Sequence, residues 1–150
     1  MQFVVDASVT LAWCFEDEAT TWTDGLLDRL RNGDQIVVPA HWPTEVSNGM
    51  LMALRRKRIQ PDRPALLWDE LAVLPIEVES PLPPNRAKAV LALGLQHGLT
   101  VYDAAYLELA QRKGIPLATL DSELLRVAPL ETVILIARPE PAVGGNADDH

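Results

Sequence analysis

Residues 102–124 read YDAAYLELAQRKGIPLATLDSEL, and this stretch decides the fold. Ala104, Leu107 and Ala110 recur at helical spacing, and Gly114 closes the helix. IPLATLD, residues 115–121, then reads as a buried strand that ends in an aspartate. SELLRVA, residues 122–128, returns to a helix at once, with Asp121 placed to cap it. A strand set directly between two helices is the building unit of a parallel sheet covered on both faces.

The rest of the chain repeats the alternation. QFVV at 2–5, QIVV at 35–38, PIEV at 75–78 and TVILIA at 132–137 read as further strands. Helices are expected over 8–15, 19–32, 43–57, 62–73 and 85–97, with Pro43 tolerated in a first helical turn. The expectation is an α/β domain over residues 1–137, with a parallel central sheet of four to five strands and helices on both faces. From Arg138 to His150 the composition shifts to Pro, Gly, Asn and Asp without periodicity, and residues 138–150 are expected to form a flexible C-terminal tail.

Composition narrows the class. The chain of 150 residues is 48% hydrophobic and 23% charged, which suits one globular domain. No apolar run reaches the ~18 residues of a membrane span, and the N-terminus lacks the basic start of a signal peptide. A single cysteine, Cys14, rules out an internal disulfide framework. These features lead to the expectation of a cytoplasmic protein with no membrane association. A net charge of −8 argues against a general binder of nucleic acid. Against that, Arg55, Arg56, Lys57 and Arg58 cluster with Arg63 nearby, either as a solvated helix end or as a substrate contact.

Four acids stand at equivalent places in the alternation. Asp6 ends the first strand, Asp121 ends the strand before the last helix, Asp103 opens a helix, and Glu45 lies in the first turns of another. Strand C-termini and helix N-termini of an open parallel sheet share one edge, and ligands bind there. Taken singly, each acid serves as a cap or complements a helix dipole. Together they would repel and raise one another's pKa unless cations held them apart. Oxygen donors of this kind select Mg²⁺ or Mn²⁺, ions that polarise phosphoryl oxygens and acidify a bound water. Other site chemistries read poorly: the three histidines (His41, His97, His150) have no ligand spacing, and no CxxC, HExxH, P-loop or GxSxG occurs. His41 is expected in a loop, His97 at a helix end, Cys14 in the core, and the four tryptophans in packing roles.

The stretches VVDASVTLAW, PTEVSNGML and YDAAYLELAQRKGIPLATLDSEL span residues 4–124, and here the chain resembles the PIN-domain nucleases, most closely the VapC-type toxins of toxin–antitoxin pairs. The family pattern is an Asp after the first strand, a Glu with an Asn three residues on, an Asp opening a later helix, and Thr-x-Asp near the end. It falls here on Asp6, on Glu45 with Asn48, on Asp103, and on Thr119 with Asp121. The resemblance implies a PIN-like fold and hydrolysis of RNA phosphodiesters dependent on Mg²⁺ or Mn²⁺. It also implies a VapB-like antitoxin as protein partner, and a homodimer. Asp6, Asp103, Asp121 and Glu45 become the expected catalytic and metal-binding residues. Ser8, Asn48 and Thr119 become their supporting partners, with Ser8 steadying Asp6 and Thr119 steadying Asp121. A phospho-acceptor module would need paired acids after the first strand, and a haloacid-type phosphatase an Asp at position 8; Ala7-Ser8 meets neither. The rival reading is a PIN-like binding module with weak catalysis, acting within a protein complex.

Overall fold

β1 (Gln2–Val5) is the axis of the molecule: it pairs in parallel with β2 (Gln35–Val38) on one side and β4 (Leu117–Ala118) on the other. β3 (Ile76–Val78) adds to β2, so the all-parallel sheet runs β3-β2-β1-β4. The computed structural model describes residues 1–138; the remainder of the expected tail, residues 139–150, lies outside them. Phe3, Val4 and Val5 of β1, like Ile36, Val37 and Val38 of β2, are fully buried. Successive strand side chains alternate faces, so burial of every one of them means that both faces are covered.

The covering elements fall into two groups. α1 (Ala7–Cys14) packs on β1 and carries α2 (Thr21–Arg31) and α3 (Trp42–Arg55). α6 (Val101–Lys113) packs on β1 and β4 and carries α5 (Pro84–His97). α4 (Arg63–Ala72) joins α3 through an edge-on contact of Trp68 with the buried Trp42, ring centroids 5.7 Å apart. α7 (Ser122–Val127) follows β4. Trp42 also donates its indole N–H to the Thr10 hydroxyl at 2.9 Å, which locks α3 against α1. No helix among the described residues is long and apolar enough to cross a membrane.

Several boundaries differ from the sequence reading, each for a local reason. β4 has two residues rather than seven. Before it, Ile115 N–H is spent on Ala110 O at the end of α6, and Pro116 has no N–H; after it, residues 119–121 form a turn that caps α7. The fifth strand shrinks to one parallel bridge, Leu117 with Leu135, because Thr132 takes a left-handed φ of 58° and Val133 N–H returns to Ala128 O. α6 begins at Val101 with Thr100 as its cap, so Asp103 sits in the first turn rather than at the cap position. Within the basic cluster, Arg58 lies 2.9 Å from both Asp17 and Glu18 and stacks on Phe15, holding the turn after α1 to the end of α3, while Arg55, Arg56 and Lys57 are exposed.

Candidate active site

The chain leaves β1 toward β2 and β3 on one side, then returns to lay β4 on the other. The strand order therefore reverses between β1 and β4, and an open α/β sheet has its binding crevice at such a point, outside the strand C-termini. Asp6 follows β1 there, and Thr119 and Asp121 follow β4. The first turns of α3 and α6 add Glu45 and Asp103.

Asp6 is buried, with 4% exposure, and its carboxylate is almost fully engaged. Oδ1 accepts from the Ser8 hydroxyl at 2.5 Å and from Val9 N–H at 3.3 Å, the latter capping α1. Oδ2 accepts from the Thr119 hydroxyl at 2.6 Å. A carboxylate offers about four lone-pair directions, so one remains on Oδ2 for a further partner. Burial holds the Asp6 carboxyl above its ordinary range, against the pull of the Ser8, Thr119 and Val9 donors, and Asp121 adds to the rise.

Ser8 and Thr119 do more than face Asp6. The Ser8 hydroxyl accepts from Leu120 N–H at 3.0 Å, and the Thr119 hydroxyl accepts from Asp121 N–H at 2.9 Å. Thr119 thus donates to Asp6 rather than to the Asp121 side chain expected from sequence, and positions Asp121 through its backbone. The two hydroxyls stitch the end of β1 to the turn after β4. Asp121 itself caps α7, accepting from Leu124 N–H at 3.0 Å.

Glu45 lies across the crevice. The Tyr106 hydroxyl donates to its Oε1 at 2.7 Å. His41 Nε2 approaches the same oxygen to 3.1 Å but lacks the alignment of a hydrogen bond. Burial pushes the Glu45 carboxyl up, but His41 and Tyr106 outweigh it and leave the group below its ordinary value. His41 is therefore not a plain loop residue: it is the cap residue of α3, one turn before Glu45. Neither it nor Tyr106 was singled out by motif. The available signal was spacing, since His41 precedes Glu45 by four residues and Tyr106 follows Asp103 by three on one helix. Asn48 is exposed on α3 and makes no side-chain hydrogen bond among the described residues.

Asp103 reports on the whole cluster. Burial first, then Asp121, Glu45 and Asp6, raise its carboxyl from 3.8 to about 6. All three other acids thus act on this one group. As placed, however, no three His, Cys, Asp or Glu side chains among the described residues stand close enough to hold one ion. The acids share one edge of the sheet, and the other three act on Asp103 through their charge.

A pH dependence follows. Without a cation, the folded chain keeps a proton on Asp103 that the unfolded chain releases, so folding is favoured below 3.8 and that contribution is lost as the pH rises to about 6. In EDTA, denaturant midpoints should fall across this window, and Asp103→Asn should flatten the slope. An Asp103→Asn protein with the parent's slope would show that the repulsion lies elsewhere.

Known proteins resemble this chain in sequence and in fold. A family model described as PIN domain matches residues 3–130. Ribonuclease VapC3 of Pyrobaculum aerophilum is 30% identical over 133 residues, covering 86% of this chain and 96% of that protein. The crystal structure of PAE2754 from Pyrobaculum aerophilum superposes with a TM-score of 0.65 at 26% identity, covering 90% of this chain and 92% of the other. VapBC2 from Rickettsia felis, bound to a DNA fragment from their promoter, also gives 0.65, over 93% of this chain and 100% of that one; at 15% identity the likeness is one of fold.

Proposed function

Because this chain belongs to the PIN-domain family, we propose that it is an endoribonuclease dependent on Mg²⁺ or Mn²⁺ and that it serves as the toxin of a VapBC-type pair. The observation that supports the metal reading is Asp103, whose carboxyl is raised first by burial and then by Asp121, Glu45 and Asp6, the three other acids of this edge. All four donors are carboxylates, the set that suits a hard divalent ion. Asp6, with one free lone-pair direction on Oδ2, Asp103 and Asp121 would hold the ion, with Glu45 beside them. When bound, such an ion supplies a Lewis acid for a phosphoryl oxygen and lowers the pKa of a bound water.

The chain's own residues supply the rest. Ser8 and Thr119 fix the Asp6 carboxylate in one orientation. Tyr106 is buried, and burial followed by Glu45 pushes its hydroxyl well up, so it stays protonated and donates to Glu45 Oε1. That leaves Oε2 of an ionised Glu45 free to take a proton from an attacking water. The sequence resemblance supports a VapB-like antitoxin as partner and a homodimer as the assembly.

Melting in EDTA, Mg²⁺ and Mn²⁺, alongside cleavage of a mixed RNA pool, tests the reading. An ion present at 100 times its Kd stabilises a native-only site by about 2.7 kcal/mol. The expected result is a clear rise in melting temperature together with cleavage that EDTA abolishes. The second reading is a binding module with weak catalysis, in keeping with the absence, among the described residues, of three His, Cys, Asp or Glu side chains close enough to hold one ion. An unshifted melt at millimolar metal, with intact RNA, would establish that reading instead.

A further inference from the structure

We infer that Tyr102 and His41 form a base-stacking subsite for the nucleotide beside the scissile phosphate of single-stranded RNA, an inference that rests on the ribonuclease reading. Tyr102 immediately precedes Asp103 in the first turn of α6 and is 57% exposed. A solitary exposed tyrosine is ordinary, but this one is held. Its ring centroid is 5.5 Å from that of His41, with the planes tilted by 53°. His41 is in turn braced edge-on by buried Tyr106 at 5.0 Å, and its Nε2 lies 3.1 Å from Glu45 Oε1. A line of rings thus runs from the Glu45 carboxylate out to solvent, and its outermost member is next to a second acid of the site.

Charge explains why a ring is needed there. The chain carries a net charge of −8, and the crevice itself is lined by acids, so a phosphate backbone is not drawn in by a basic surface. Of the arginines, Arg86 and Arg112 pair with Glu79 and Glu108, and Arg58 with Asp17 and Glu18, while Arg55 and Arg56 lie at the opposite end of α3 from Glu45. Stacking of a base on an aromatic face is indifferent to this field and tolerates any base. It also selects unpaired strands, whose bases are free to leave their own stack.

The test uses the full chain carrying Asp6→Asn, so that nothing is cut, with Mg²⁺ present. Binding is measured for a single-stranded RNA oligomer and for an abasic ribose-phosphate oligomer of equal length. One stacked base should make the RNA about tenfold tighter. Adding Tyr102→Ala should remove most of that difference while leaving the abasic affinity unchanged, and Tyr102→Phe should retain it. Circular dichroism confirms that each variant is folded. Equal affinity for the two oligomers before Tyr102 is changed, a difference that survives Tyr102→Ala, or equal weakening of both would each overturn the subsite. Cleavage of an RNA pool by the unsubstituted chain is scored separately. Cutting without base-dependent binding sinks the subsite and leaves the ribonuclease reading standing; base-dependent binding without cutting sinks the ribonuclease reading and, with it, the subsite's place beside a scissile phosphate.

Discussion

Asp6→Asn is expected to yield a folded protein that no longer cuts RNA. Asparagine caps a helix about as well as aspartate, so the bond from Val9 N–H that starts α1 survives. With the amide oxygen placed at Oδ1, the Ser8 hydroxyl keeps its acceptor as well. At Oδ2 an N–H replaces an oxygen. The Thr119 hydroxyl must then accept where it now donates, and the one direction left for a cation is filled by a proton. Loss of an outer-shell partner costs a metal site about 10–100-fold, so removing a direct ligand should cost more than ~100-fold in cleavage and in metal affinity.

Stability should move the other way. Burial, with Asp121 behind it, keeps the Asp6 carboxyl above its ordinary value, so its ionised form burdens the native state at neutral pH. Without metal, Asp6→Asn should therefore melt at or above the parent temperature; with Mg²⁺ the order should reverse, since only the parent gains from the ion. Ser8→Ala and Thr119→Ala, which leave the carboxylate but loosen it, should fall between the two in activity. A folded Asp6→Asn protein that cuts at the parent rate would sink the proposed mechanism, because the residue would then be a cap and nothing more.

The sheet was readable in advance because apolar runs and helical spacing are local properties. The QFVV and QIVV runs became β1 and β2 with the expected limits, and the acids fell on one edge because every strand in the sheet runs in one direction. What was not readable depends on contacts distant in sequence. Thr119 bonds Asp6 across 113 positions and Tyr106 bonds Glu45 across 61, and no window of sequence carries either pairing. The shortened β4 and the vanished fifth strand turn on single backbone bonds that compete with the sheet, such as Val133 N–H to Ala128 O. His41 is expected in a loop because it has no ligand spacing to the other histidines; the group it approaches is instead the Glu45 carboxylate, four residues on.

Glu108→Ala should be the most damaging change to stability outside the crevice. In sequence Glu108 looks like any polar position of α6, yet it is 5% exposed and sits between two arginines. Arg112 Nε reaches its Oε2 at 2.9 Å, and Arg86 Nε reaches its Oε1 at 3.4 Å. Both arginines also reach Glu79 Oε1, at 2.6 and 2.9 Å. The four charges tie α6 and α5 to the residue that follows β3. Burial raises the Glu79 carboxyl, but Arg112 and then Arg86 outweigh it and hold it below 4.5. Its contribution to stability is complete above that value and is lost as the pH falls through the depressed one. Breaking a buried pair by removing one partner costs about 3–5 kcal/mol. Because the arginines here keep Glu79 and are partly exposed, about 2–3 kcal/mol is the reasoned figure, or roughly 4–12 °C in melting temperature for a domain of this size. Glu108→Gln, which keeps the shape and loses the charge, should cost less. In a double-mutant cycle with Arg86→Ala the two losses should fall short of their sum, since either change already breaks the same contact. At temperatures where the variant is folded, cleavage of RNA should match the parent, for the network touches none of the four acids of the crevice. A loss below about 0.5 kcal/mol, the range of an ordinary surface substitution, would mean that the arginines find water and Glu79 sufficient and that apolar packing alone holds α5 and α6 in place.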